Sequence, residues 1–124
     1  MDKQALDYFG EMIVRKVRDT AIDEWDDTID GKMKSGRAQR VRESLSDFGA
    51  ERLGILHWLV PQIVDTTLHH LLWTLEQEAR VEVAVRTPSS VVPNLRDASD
   101  GLAGDLYGDR GWIARFSSKP RVDT

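Results

Sequence analysis

From Leu6 to Ile29 the apolar positions Leu6, Phe9, Ile13, Val17, Ala21, Ile22, Trp25 and Ile29 fall at steps of three and four. That is the period of an amphipathic helix, and no proline interrupts it. Gly31 follows as a stop, and residues 31 to 36 read as a connection. A second helix opens near Arg37, with Val41 and Leu45 one turn apart, and weakens between Ser46 and Gly49. The third begins near Ala50. From Leu53 to Leu75 it is apolar on most sides, the pattern of a helix with neighbours around it, and Pro61 is expected to kink or split it.

After Arg80 the period changes to two. Val81, Val83 and Val85 alternate with Glu82, Ala84 and Arg86, and Trp112, Ala114 and Phe116 alternate with Ile113, Arg115 and Ser117. Both runs read as half-buried strands able to pair antiparallel, with Val91 and Val92 as a further short strand inside a turn-rich connection. Helices first and strands last give an α+β class. About three helices, the last long and Pro-kinked, pack with a small C-terminal antiparallel sheet, residues 1–80 forming the helical part and 81–124 the strands and Gly-rich loop of one domain.

Composition narrows the chemistry. The 124 residues are 40% hydrophobic and 31% charged, values of an ordinary globular chain and not of a disordered one. Cysteine is absent, so disulfides, thiolate metal sites and cysteine nucleophiles are excluded, and a reducing compartment fits. Asp2, Asp7 and Glu11 interrupt the N-terminus where a signal peptide needs an apolar run, and no stretch approaches the roughly 20 apolar residues of a membrane span. A cytoplasmic protein without membrane contact is expected. The net charge of −4 argues against nucleic acid as a partner. Charge is segregated: residues 1–30 hold nine acids against four bases, and residues 31–52 hold six bases against three acids.

Three constellations are candidates for a site. Asp65 and His69 lie one turn apart, and a catalytic or ligand site there could also recruit His57, while His70 points about a quarter turn away. The HExxH spacing of a zinc helix is missing, no metal or other cofactor is indicated, and the simplest reading has Asp65 accepting a hydrogen bond from His69 at the core edge. Second, Asp23, Glu24, Asp26, Asp27 and Asp30 crowd the C-terminal end of the first helix, where negative charge opposes the macrodipole. Asp26, Thr28, Asp30 and Gly31 begin like a calcium loop, but Arg37 stands where the bidentate Glu is needed, and calcium of this type is rejected. Either Lys32, Lys34, Arg37, Arg40 and Arg42 fold back on these acids, or the acids form a docking surface for a basic protein.

Third, Gly101, Gly104, Gly108 and Gly111 with Asp97, Asp100, Asp105 and Asp109 suggest a loop site, but P-loop spacing is absent and the acids would repel phosphate. Asp100, Asp105, Tyr107 and Asp109 are the binding candidates there. Among the four tryptophans, Trp73 points to the side of its helix shared by Gln62, Thr66, His69 and Gln77. That side would be covered by the sheet, by a second copy or by a partner. No nucleophile elbow or catalytic Ser pattern is present. The favoured expectation is a non-enzymatic acidic domain acting through protein–protein contact, including self-association, in the manner of an immunity or antitoxin-like inhibitor of a basic partner. The alternatives are a small-ligand or metal-dependent enzyme built on Asp65 and His69, and a regulatory or assembly subunit that works as an oligomer.

Overall fold

The computed structural model describes residues 2–119; residue 1 of the helical part and residues 120–124 of the C-terminal part lie outside the described residues. The expected first helix is present as a continuous run: α1 (Asp2–Met12), a π-helical turn (Ile13–Arg18) and α2 (Asp19–Ile29). Asp30 and Gly31 end it, Gly31 with φ of 79°, a left-handed conformation that glycine adopts without the penalty of a Cβ. Helix α3 (Gly36–Ser44) opens on Ser35, whose hydroxyl accepts from the Ala38 amide at 3.1 Å. Helix α4 (Ala50–Gln77) is 28 residues long, and Pro61 does not split it.

The π turn changes the first helix in a way the apolar spacing does not reveal. A π turn holds one residue more than an α turn, so the inward side slips by one position. Val17, expected in the apolar stripe, is 43% exposed, whereas the neighbouring Arg18 is fully buried. Ahead of the slip, Ala5, Phe9 and Ile13 face the core; after it, Ile22 does.

The main hydrophobic cluster joins Ala5, Phe9, Ile13 and Val14 to Leu68 and Leu72 of α4 and to Val85, Val92, Leu95, Leu102, Leu106, Trp112 and Ile113. Ile22 and Ala38 are buried outside it, where α2 meets α3 and the N-terminal half of α4. An α+β class is therefore present, with the sheet smaller than expected. Strand β1 (Val85–Arg86) pairs antiparallel with β2 (Val91–Val92), Val85 opposite Val92 and Arg86 opposite Val91.

Two strand expectations are corrected. Val81 to Ala84 form no ladder, although the Val83 carbonyl accepts from the Leu95 amide at 2.9 Å. The partner strand is too short to extend to them: Pro93 has no amide to donate, and the chain turns at once into a 3₁₀ helix (Leu95–Ala98). The segment at Trp112 is not a strand but a short helix, α5 (Trp112–Phe116), after a second 3₁₀ turn (Gly104–Leu106). Over five residues, Trp112 and Phe116 satisfy both period two and an i, i+4 helical pair, and the deciding feature is that the adjacent Trp112 and Ile113 are both buried. Gly111 precedes the helix because a Cβ there would run into the Tyr107 carbonyl.

Gly10 lets α1 approach α5. A Cβ on Gly10 would overlap the Trp112 indole, itself edge-on to Phe9 with ring centroids 5.9 Å apart. Gly54, by contrast, has open space around it in the interior of α4. Gly10→Ala should therefore lower stability by about 1–3 kcal/mol through overpacking, whereas Gly54→Ala should raise it by roughly 0.5–1 kcal/mol through helix propensity. Chemical denaturation of the two variants beside the parent checks both signs.

Candidate functional site

The Asp65 and His69 pair does not form. Both Asp65 oxygens are taken by Arg18, whose Nε donates to Oδ1 at 2.6 Å and whose Nη2 donates to Oδ2 at 3.4 Å. Arg18 Nη1 also donates to Asp19 Oδ1 at 3.0 Å, to Ser117 Oγ at 2.8 Å and to the Lys119 carbonyl at 2.7 Å. Asp19 in turn accepts from Ser117 Oγ and from the Ser118 amide. A guanidinium with no exposure is thus satisfied by two buried carboxylates and by the C-terminal segment. The π turn is what points Arg18 at α4; without that slip, helical spacing directs Val17 inward.

His69 meets the Gly-rich loop instead: its Nδ1 lies 3.2 Å from the Tyr107 hydroxyl, and its ring packs edge-on against His70. His57 lies elsewhere, held between Asp26 (Nδ1, 2.7 Å) and Asp30 (Nε2, 2.8 Å). The Asp26 hydrogen bond, opposed by partial burial and reinforced by Asp30, raises the imidazole pKa above its ordinary 6.5. The three candidate members, Asp65, His69 and His57, therefore belong to three separate arrangements. No group of three or more His, Asp or Glu positioned to hold a metal ion occurs among the described residues.

The acid cluster is neutralised from an unexpected direction. Besides His57, Lys119 reaches Asp23 at 2.7 Å and Asp26 at 3.6 Å. The basic stretch does fold back, but Arg37 stacks on the Trp25 ring at 4.9 Å from its centroid, and Arg42 comes near Gly31. Glu24 faces solvent and Asp27 is half-buried.

In the Gly-rich loop, Asp105 accepts from Ser99 Oγ at 2.7 Å, and Glu76 of α4 caps the Leu102 amide. Burial raises the Asp105 pKa, with the Ser99 bond opposing it and the charges of Asp100 and Glu76 adding to it. Leu102 and Leu106 are buried, pinning the loop, whereas Asp100 and Asp109 are exposed and Tyr107 is half-buried. Gly108 has φ of 87°. Asp105, Tyr107 and Asp109 line one open pocket of about 520 Å3 together with Lys3, Asp7, Arg110 and Arg115, and Asp100 is not in its wall.

Several large apolar side chains of α4 are exposed. A groove of about 340 Å3 opens between α2, α3 and α4, lined by Trp25 and Ile29 of α2, Val41 and Leu45 on the α3 side, and Leu59 and Ile63 of α4. Along the outer side of α4, Ile55 is 57%, Leu59 39%, Ile63 55% and Trp73 51% exposed. An apolar patch of this kind, although within the range seen on monomers, often marks a contact site. Sequence spacing identified Trp73 but not the groove, which needs the relative placement of three helices.

No protein-family model, no curated protein and no solved structure matches the chain. No helix among the described residues is long and apolar enough to cross a membrane.

Two outcomes follow from the ionic groups. Asp65→Ala leaves Arg18 buried with half its compensation and should cost about 3–5 kcal/mol, while the triple variant Arg18→Met, Asp19→Asn, Asp65→Leu, which leaves no member of the buried ionic group charged, should lose much less; urea unfolding of both checks the order. A histidine whose pKa is raised on folding contributes stability in full below its unfolded pKa and loses it as pH rises through the folded value. The stability gap between the parent and His57→Ala should therefore be fully present at pH values below about 6.5, the ordinary histidine pKa. It should close at higher pH, and thermal melts across the range read it.

Proposed function

We propose that this chain is a non-enzymatic protein-binding domain that works through protein–protein contact, and that its contact surface is the apolar outer side of α4 with the adjoining groove. The groove is the observation that carries the reading. It is concave, apolar and bordered by exposed large side chains on one rigid helix, the anatomy of a surface that receives a partner's anchor residue.

The acid cluster is a weaker basis for contact than its composition suggests, since Asp23 and Asp26 are paired with Lys119 and both Asp26 and Asp30 are bonded to His57. In an inhibitor of a basic partner, Glu24 and Asp27 would remain as rim charges that speed association rather than as the anchor. An enzyme built on Asp65 and His69 draws no support from their separate partners, Arg18 and Tyr107. A cytoplasmic location fits the cysteine-free composition, which a reducing compartment allows.

A photo-crosslinking amino acid placed at Ile63, in the cells from which the protein comes, should give discrete protein adducts. The same probe at the exposed Lys16 should not. No adduct from either Ile63 or Leu59 would overturn the assignment of this face.

A further inference from the structure

The apolar face of α4 has a spacing that restricts what can cover it. Its outward side carries Leu59, Ile63, Thr66, His70 and Trp73, at steps of four, three, four and three, all exposed. This is the repeat with which two helices pack side by side at about 20°. Between Leu53 and Leu75 the only Asp, Glu, Lys or Arg is Asp65, and it is buried against Arg18 on the opposite side. Nothing on this stripe would place like charges against each other if it met its own copy.

The stripe is also self-complementary in shape. Leu59 at the groove mouth and Trp73 lie on either side of Thr66, seven residues from it in each direction, so that they are about 21 Å apart along the axis. Two copies of α4 laid antiparallel about a two-fold axis at Thr66 would bring each Trp73 over the other copy's Leu59, at the mouth of the groove lined by Leu59 and Ile63. The groove is large enough to take an indole ring. Ile55, Leu59, Ile63 and Trp73 together expose roughly 400 Å2, about half of the ~800 Å2 that each partner contributes to a stable interface, before the groove walls and the polar rim are added.

We infer that the occupant of this face is a second copy of the chain, in an antiparallel α4–α4 dimer with Trp73 of each protomer seated in the other's groove. The inference rests on the surface assigned under Proposed function and names its partner. Sedimentation equilibrium should show a concentration-dependent dimer, weakened roughly 30-fold or more by Trp73→Ala, as for an interface anchor, and abolished by Ile63→Glu. Both sites are exposed, and circular dichroism should show both variants folded.

Because the chain has no cysteine, Thr66→Cys offers a direct check on the axis: under mild oxidation it should yield a disulfide-linked dimer, whereas Lys16→Cys should not. A parent protein that stays monomeric at millimolar concentration overturns the inference, as does a dimer that survives both surface variants or fails to crosslink through Thr66→Cys. The source of failure can be told apart. Ile63 photo-adducts of a foreign protein alongside a monomeric parent would remove the second copy but keep the binding face, and the absence of both adducts and dimer would remove the face itself.

Discussion

The guanidinium of Arg18 is the constraint on which the arrangement of this chain depends. A charged group with no exposure must be matched on every side, and here the matching groups come from distant parts of the sequence: Asp65 on α4, the adjacent Asp19, and Ser117 and the Lys119 carbonyl beyond α5. Apolar packing alone tolerates small slides of one helix along another. A planar donor fork fixed to a carboxylate does not, because a slide of one residue would leave buried donors without acceptors. The network therefore sets the register of the first helix on α4 and holds the C-terminal segment against both.

Its origin lies in a single extra residue of helix. The π turn at Ile13–Arg18 lets one helix present Phe9 and Ile13 to the main cluster and, beyond the slip, Arg18, Asp19 and Ile22 to α4 and its surroundings. A regular α-helix would offer Val17 in place of Arg18, an apolar residue with nothing to give Asp65.

The helices were legible in the sequence because their periodicity extends over many turns: the first helix, α3 and α4 appear close to their expected limits, with Gly31 and Ser35 as stop and start. The C-terminal part was less legible because its elements are two to five residues long, where period two and period 3.6 coincide. Trp112 to Phe116 reads either way until the neighbours of Ile113 are known. The candidate site divided similarly. Trp73 could be singled out from its helical direction, but the true partners of Asp65, His57 and Asp26 lie 31 to 47 residues away or on another element. Spacing within one helix carries no information about such pairs.

The main cluster lies at the end where α1, the C-terminal half of α4 and the segment after β1 meet. At the other end, α2, α3 and the N-terminal half of α4 share few fully buried side chains, Ile22 and Ala38 among them, around a groove that is open to water. The two long helices run closely side by side where α2 meets α4, and the groove opens beside that seam, towards α3. A side chain seated in that groove would lie against Trp25, Ile29, Leu59 and Ile63 at once, so filling it would extend the buried core of this half of the chain.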